Sequence, residues 1–347
     1  MKVWDVIISG AGIIGVSLAL ELRERGAAVL VLDSREPGKE ASSAAAGMLA
    51  ASDPETPAKL RPLTYAGARL YPQFAGKLER LSGVQTDFRR GAIALLADAT
   101  VPPEHRLLSA AELHQLEPAI RAGMHSAAIV ENENSVDPDL LMQAALPAAR
   151  AAGIEFRGQT AVQQMRATAG QIEVIAGKER FPARTAVNCQ GAWSGAPVRP
   201  RKGQMLYLQP QKPGLLGRVL RTPEVYLVPR SSGKILVGAT VEDVGFDKSV
   251  ESEVIQDLHR CAARFVPQLA SAATVSSWAG LRPGTPDDLP ILGPTEIPGT
   301  FIASGHFRNG ILLAPITARI MADLIAGKSP ELDISAFSPA RFANVTL

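Results

Sequence analysis

The chain has 347 residues, of which 46% are apolar and 20% charged, so it can bury a large core and extended disorder is excluded. Two domains are expected at about 100–200 residues per domain. Lysine and arginine together number 36 against 34 for aspartate and glutamate, a balance that disfavours nucleic acid and anionic lipid as partners. No apolar stretch is long enough to span a membrane, which predicts no integral membrane association.

Cys189 and Cys261 are the two cysteines of the chain, and neither belongs to a CxxC pair or lies near histidines at metal-ligand spacing. A disulfide scaffold and a metal site are therefore not predicted. Asp5 interrupts the first apolar run, which indicates a strand and not a secretion signal. We expect a protein of the reducing cytoplasm with both thiols in its core and no metal.

A glycine-rich turn follows the first predicted strand. The apolar run leads directly into GAGIIG, then into an apolar helix pattern, and a second apolar run ends at Asp33. This order makes a dinucleotide-binding fingerprint: Gly10 permits the tight turn, Gly12 lets the backbone approach a pyrophosphate, and Gly15 lets the helix pack on the strand. Asp33 suits a ribose 2′-hydroxyl. A glycine-rich turn in an unrelated α/β protein is the alternative.

Helical and strand patterns alternate along the rest of the chain. Helices are predicted at residues 66–81, 140–153, 251–265 and 311–327, and strands at 154–158, 160–167, 185–191, 204–209, 225–229, 234–241 and 300–305. The strand-to-glycine segments at 6–15, 185–191 and 300–310 can converge on one extended ligand with a flat head. FAD matches this description of the ligand better than a nicotinamide cofactor does. The alternating runs between residues 203 and 280 indicate a separate antiparallel sheet.

Eight segments, taken in order, resemble the glycine oxidases of the thiamine pathway, a family of the D-amino-acid oxidase group of FAD enzymes. They are GAGIIG, SSAAAGML, CQGAWSG, KGQ, VYLVPR, VGATVEDVGFD, WAGLRPGTPD and GHFRNGILLAP, and the resemblance extends from about residue 6 to residue 324. It implies an α/β fold. A glutathione-reductase-like FAD-binding domain would take residues 1–50, 137–200 and 281–347, and an antiparallel β-sheet substrate domain would take 51–136 and 201–280.

The resemblance also implies which residues hold FAD. Small side chains in SSAAAGML leave room for the flavin ring beside backbone amides, whereas a serine-capped helix start is the alternative. Both cysteines fall outside HFRNG and its surroundings, where related sarcosine oxidases attach flavin covalently, so the FAD should be non-covalent. His306 is expected to line the cofactor or to be structural, because hydride transfer needs no general base. The implied cofactor residues are Gly10, Gly12, Ile13, Ile14, Gly15, Asp33, Ser34, Ala41, Ser42, Ser43, Ala46, Gly47, Met48, Val162, Gly191, Trp193, His306, Phe307, Arg308, Asn309, Gly310, Ile311 and Leu312.

Arg282 is implied to hold the substrate carboxylate, since a guanidinium fork can pair with it at two points. Tyr226 and Arg308 are implied to contact the same substrate. The structural alternatives are a surface arginine, a packed tyrosine and a charge at a helix start. Glu224 and Val241 depart from residues of other family members and are expected to line the side-chain end of the pocket. The preference for glycine therefore stays open.

The resemblance implies FAD-dependent oxidative deamination of glycine, sarcosine or small D-amino acids to the imine or 2-oxo acid, with O2 reduced to H2O2. The imine is expected to supply the thiazole of thiamine, and a homo-oligomer, a tetramer, is implied. One alternative is a D-amino-acid or sarcosine dehydrogenase that passes electrons to a quinone or carrier. Another is the flavin module of an RNA-modifying assembly, which the balanced charge disfavours. The basic run RPRK at residues 199–202 is expected to be a solvated turn.

Overall fold

The structure, a computed structural model, describes residues 2–53, 55–97, 106–123, 125–168, 170–195 and 197–343. Its described strands belong to one eight-stranded sheet and one nine-stranded sheet. In chain order the strands are β1 (Trp4–Ser9), β2 (Val29–Leu32), β3 (Met48–Leu49), β4 (Arg89–Leu96), β5 (Arg106–Leu107), β6 (Ala127–Ser135), β7 (Glu155–Arg157), β8 (Gln164–Thr168), β9 (Gln171–Ala176), β10 (Glu179–Asn188), β11 (Arg199–Gln209), β12 (Val219–Arg221), β13 (Tyr226–Pro229), β14 (Ile235–Gly238), β15 (Ala273–Gly284), β16 (Ile291–Pro294) and β17 (Thr300–Ser304). The α-helices are α1 (Ile13–Glu24), α2 (Arg61–Ser82), α3 (Ala110–Leu116), α4 (Pro138–Ala151), α5 (Ser252–Phe265) and α6 (Gly310–Ile325).

The first sheet has the strand order β16-β17-β10-β1-β2-β7, and β9 and β8 extend it from β10. The strands from β17 to β7 run parallel. β1 and β2 are apolar runs that are almost wholly buried, as parallel strands covered on both faces are. Val6 and Ile8 pack in a core with α1, α4 and α6, whereas Ile7 packs on the opposite face with residues of β9.

The carboxyl ends of four parallel strands meet at one edge of this sheet. β1 ends at Ser9, β2 at Leu32, β10 at Asn188 and β17 at Ser304. Ligands of open α/β sheets bind beyond such an edge, where the chain leaves neighbouring strands in different directions. The fold therefore brings the three predicted strand-to-glycine segments to one place.

The second sheet has the order β15-β11-β14-β13-β12-β4-β6-β3, with β5 paired to β6. Its described neighbours are antiparallel except β12 and β4, which run parallel. Because side chains alternate along a strand, Leu227 and Val237 point into a core covered by α5, while Tyr226, Val228 and Leu236 lie on the other face. This alternation directs the Tyr226 side chain toward the segment that contains Met48.

The predicted α/β class is confirmed, and the predicted helices are present with shifted ends. α4 begins after Asp137, whose carboxylate accepts hydrogen bonds from the amides of Asp139 (2.9 Å) and Leu140 (3.3 Å). α2 packs on α4 and α6, the helices of the first sheet, although the predicted boundaries group it with the second. The boundaries themselves stay a prediction. Among the described helices, none is long and apolar enough to cross a membrane.

Candidate functional site

A long cavity lies between the carboxyl edge of the first sheet and the Tyr226 face of the second. Most of the predicted site residues meet on its wall. They are Gly10, Gly12, Ile13, Ile14, Asp33, Ser34, Ala41, Ser42, Ala46, Gly47, Met48, Gly191, Trp193, Tyr226, Val241, Arg282, His306, Phe307, Arg308, Asn309, Gly310 and Ile311.

The fingerprint forms one end of the cavity. Gly10 has a φ of +107°, and a side chain there would collide with the Cys189 carbonyl; a side chain at Gly15 would collide with the Gly10 carbonyl. These close approaches place the start of α1 at the cavity, where its N-terminal amides favour negative charge. The Asp33 carboxylate accepts hydrogen bonds from the amides of Ala11 (2.7 Å) and Arg35 (2.8 Å), so it also holds the turn in place.

Residues 41–47 form the middle of the wall as irregular turns that lead into β3, so the alternative of a helix start does not hold. Hydrogen bonds from the start of α1 and from the second sheet hold this segment in place. The Ser42 hydroxyl accepts a hydrogen bond from the Ile13 amide (2.9 Å) at the start of α1. From the second sheet, Trp278 Nε1 donates to the Ala44 carbonyl (3.1 Å). Arg230 Nη2 donates to the Ala46 carbonyl (2.7 Å).

The start of α6 forms another part of the wall. This helix has no acidic side chain in its first turn, so no carboxylate of its own offsets the positive end of the helix dipole. His306, just before it, is 2% exposed, and its Nε2 lies 3.1 Å from the Thr317 hydroxyl. Burial lowers the pKa of His306 to about 3. The ring is therefore neutral at physiological pH and a weak base.

Arg282 extends from β15 into the cavity. Its Nη1 donates to the carbonyls of Thr240 (3.1 Å) and Lys202 (3.4 Å), and the guanidinium lies against Gly203, where any side chain would collide with it. Among the described residues, no carboxylate lies within ion-pair distance of it. Burial raises the pKa of the neighbouring Tyr226, although the charge of Arg282 opposes this shift. Tyr226 therefore keeps its proton and can donate to an anion.

Arg308 has a different electrostatic setting. It pairs with Glu55, whose side chain is 68% exposed, so this ion pair reaches the solvent. Asp53 lies on the cavity wall at the same end and is 3.7 Å from Arg221. Arg308 therefore has a carboxylate partner, whereas Arg282 has none within ion-pair distance in the described ranges.

Glu224 does not line the pocket, and that prediction is wrong. The prediction rested on a departure from other family members, but Glu224 lies in a turn before β13, which begins only at Tyr226. The Thr222 hydroxyl accepts hydrogen bonds from the amides of Glu224 (3.2 Å) and Val225 (3.0 Å), and this turn directs Glu224 to the surface. There it pairs with Arg264 of α5.

Four further predicted residues lie behind the wall and not on it. Gly15 packs α1 on β1, and Leu312 is buried in the helical core. The Ser43 hydroxyl donates to the Gly38 carbonyl. Val162 packs beside the core near β9, and its carbonyl accepts a hydrogen bond from Gln190 Nε2 (3.3 Å). A motif places such residues near a site but does not give the direction of each side chain.

Cys189, although it falls outside HFRNG, is close to the candidate site. It lies on the cavity wall beside Gly10 and is buried, whereas Cys261 is half-buried and distant from the wall. Burial raises the pKa of the Cys189 thiol to about 12. Because the thiolate is the reactive form, this cysteine is a poor nucleophile.

The basic run at residues 199–202 is not a solvated turn. It begins β11, and the Lys202 side chain is 1% exposed. Sequence reasoning also missed Asp53, Met205, Ala239 and Ser304 on the cavity wall. Strand alternation could have found Met205, since it shares the cavity face with Tyr226. In the part of the chain that is described, no group of three or more His, Cys, Asp or Glu residues is arranged to hold a metal ion.

Residues 5–324 match the family described as "DAO: FAD dependent oxidoreductase". The chain belongs to this family. A glycine oxidase of Bacillus licheniformis is 34% identical over 98% of this chain and 98% of its own length. The bifunctional protein ThiO/ThiG of Nostoc sp. is 36% identical over 97% of this chain, which spans only 55% of that protein. The crystal structure of glycine oxidase from Geobacillus kaustophilus superimposes with a TM-score of 0.91 at 31% identity, covering 97% of this chain and 98% of that one.

FAD is the cofactor of this FAD-dependent oxidoreductase, and the cavity fits it. The start of α1 provides backbone amides for a pyrophosphate, and Gly12 lies on the cavity wall, where an added Cβ would meet only the Ser42 hydroxyl, at 3.0 Å. The start of α6 provides a second set of amides on the wall, beside Arg308. Which residues contact each part of FAD stays a prediction.

We predict that FAD is bound without a covalent bond, because the thiol of Cys189 stays protonated. Acid precipitation should leave the polypeptide colourless and release all the flavin to the supernatant, where its absorbance is measured. Flavin that remains on the pellet of the unmodified protein, but not on that of a Cys189→Ala variant, would show a covalent link to this thiol.

Gly12→Leu should weaken FAD binding about 100-fold, or ~2.7 kcal/mol, because the side chain would fill the space before the start of α1. The ratio of flavin to protein absorbance after purification, followed by titration of the apoprotein with FAD, measures this. Gly76→Leu is the matched control, since a Cβ there meets only Arg80 Nη1 at 3.5 Å on α2. Equal flavin content in both variants contradicts the assignment.

Proposed function

We propose that this flavoenzyme oxidises glycine, sarcosine or another small amino acid to the imine. The substrate would lose a hydride from Cα and a proton from nitrogen, and water would convert the imine to the 2-oxo acid and ammonia or amine. The two electrons and two protons would reduce O2 to H2O2. The observation that carries the proposal is the guanidinium of Arg282, a cation on the cavity wall without a carboxylate partner among the described residues.

Arg282 and Tyr226 are suited to hold a carboxylate in one orientation. Two carbonyls fix Nη1 of the guanidinium, and charge-assisted hydrogen bonds of this kind are worth about 1.5–3 kcal/mol. The Tyr226 hydroxyl, protonated because burial raises its pKa, can add one neutral hydrogen bond. FAD, when bound, supplies the two-electron acceptor. The task of these side chains is to set the distance and direction of the substrate Cα.

Small substrates fit the remaining wall. Met205 and Tyr226 lie on the cavity face of the second sheet, and the Tyr226 hydroxyl is 3.5 Å from the Met205 sulfur. Val241 adds an apolar side chain near Arg282. We extend the proposal to a supply of the imine for the thiazole of thiamine, and to a homo-oligomer, a tetramer. The similarity to glycine oxidase and to ThiO/ThiG supports the first of these.

The test is turnover of glycine, sarcosine and D-alanine by the purified holoenzyme. Anaerobic bleaching of the visible flavin band reports oxidation of the substrate, and H2O2 produced in air reports the acceptor. Bleaching together with stoichiometric H2O2 supports an oxidase. Bleaching with little H2O2, but fast reduction of an added quinone, supports the dehydrogenase alternative. Failure of every small amino acid to bleach the flavin overturns the proposal.

Arg282→Ala should lower kcat/KM for glycine about 100-fold or more, since loss of one partner from a buried charge pair costs about 2–5 kcal/mol. Arg282→Lys keeps the charge but not the fork and should be intermediate. Tyr226→Phe should have the mildest effect, because it removes one hydrogen bond to the substrate, worth about 0.5–1.5 kcal/mol of binding free energy. Steady-state kinetics in air or with an artificial acceptor measures these effects.

Two controls separate the carboxylate site from general damage. A primary amine without a carboxylate should be oxidised slowly and at a similar rate by Arg282→Ala and the unmodified enzyme. Arg264→Ala removes a surface arginine that pairs with Glu224 and should leave glycine kinetics unchanged. Unchanged glycine kinetics in Arg282→Ala would place the carboxylate elsewhere.

The activity on glycine should rise with pH as the free substrate amine loses its proton, because the nitrogen lone pair must be available for the imine. His306 cannot supply this pH dependence, since its pKa near 3 leaves it neutral well below that range. His306→Asn should therefore keep the same inflection in a plot of log kcat/KM against pH. A variant that loses the acidic limb would identify His306 as a general base.

A further inference from the structure

Lys202 is a lysine with almost no exposed side chain. Its Nζ lies 3.2 Å from Glu242, 3.3 Å from Glu251 and 3.6 Å from Asp247. Burial lowers the pKa of Lys202, but hydrogen bonds to Glu242 and Glu251 outweigh it, and the pKa is raised above its ordinary value. The ammonium is therefore charged at neutral pH and binds three carboxylates that come from one later segment of the chain.

The neighbours of Lys202 join the same two segments. Lys202 and Glu242 exchange backbone hydrogen bonds, each 2.9 Å. The Gln204 amide donates to the Thr240 hydroxyl (2.9 Å), which in turn donates to Glu242. The Gln204 side chain donates to Glu242 (3.0 Å) and accepts from the Glu251 amide (2.8 Å). β11 is thus fastened to residues 240–251 by a network that is centred on one buried charge.

Arg282 takes its two backbone acceptors from these two segments. One is the carbonyl of Lys202 on β11, and the other is the carbonyl of Thr240 on the later segment. Gly203, between Lys202 and Gln204, provides the flat backbone on which the guanidinium lies. A change in the spacing of the two segments would therefore separate the acceptors and turn the fork.

We propose that Lys202, with Gln204, Thr240 and Glu242, positions Arg282 for the carboxylate of the substrate. The inference rests on the proposed function of Arg282. These residues do not contact the substrate in this assignment; they act through the two carbonyls that fix the guanidinium. Lys202 also pairs with Glu242, a carboxylate two residues from the Thr240 carbonyl that Arg282 uses, and so neutralises its charge.

The test is the binding of acetate to the holoenzyme, followed through the visible absorbance of the bound flavin and independent of turnover. Lys202→Met should lower the affinity for acetate about tenfold, since small errors in the position of the guanidinium are costly at such sites. It should leave oxidation of an amine without a carboxylate unchanged. Lys77→Met is the matched control. Lys77 lies on α2 and also pairs with a carboxylate, that of Glu24 at 2.6 Å, so this variant enzyme should bind acetate with normal affinity.

A double-variant cycle separates positioning from general destabilisation. In an Arg282→Ala background, Lys202→Met should not lower the affinity for acetate any further. If the two substitutions instead lower the binding free energy by independent, additive amounts, the inference is overturned. If Lys202→Met does not fold, Thr240→Val carries the same cycle, since it removes the hydroxyl that joins Gln204 to Glu242. Normal acetate binding in Arg282→Ala itself would refute the proposed function. Weak binding in Arg282→Ala but normal binding in the network variants would refute only this inference.

Discussion

Arg282 has no carboxylate counter-ion in the part of the chain that the structure describes, and the electrostatics of the cavity depend on this. A half-buried guanidinium that meets carbonyl oxygens and the Tyr226 side chain, but no carboxylate among the described residues, gives up much of its hydration and receives incomplete compensation. A nearby carboxylate would stabilise the fold more, but it would also occupy the position of an anionic ligand. The chain supplies such carboxylates close by and assigns them to Lys202 instead. The positive charge of Arg282 is therefore not neutralised by these carboxylates, and a ligand carboxylate can pair with it.

The two sheets divide the work of the cavity by their geometry. Parallel strands bring backbone turns and helix starts to one edge, and these provide amides that suit phosphates and other electron-rich groups. An antiparallel sheet presents alternate side chains on one face, and that face carries Tyr226 and Met205. Residues 41–48 lie between the sheets, and side chains of the second sheet, Trp278 and Arg230, hold their backbone. Neither sheet could build the cavity alone.

Local signals were sufficient for the fold and for part of the site. GAGIIG predicts a turn because its glycines allow close backbone contacts. The structure shows such contacts at Gly10, which lies against Cys189, and at Gly15, which lies against Gly10. Three-dimensional partners were not readable. The burial of Lys202 depends on carboxylates between residues 242 and 251, about 40 residues or more further along the chain, and the outward direction of Glu224 depends on the turn at Thr222. Cys189 lies at the cavity because β10 pairs with β1, which brings the end of β10 beside Gly10.

The segment after β14 connects the two ends of the site mechanically. Thr240 holds Arg282, Val241 lies on the cavity wall, and Glu242 binds Lys202. Further along, Phe246 stacks against Trp193 with ring centroids 5.4 Å apart, and Lys248 pairs with Glu40 at 3.0 Å. Trp193 and Glu40 also line the cavity. A shift of this segment must therefore disturb the guanidinium of Arg282 and the cavity wall at Trp193 and Glu40 together, which ties the geometry of one to the other.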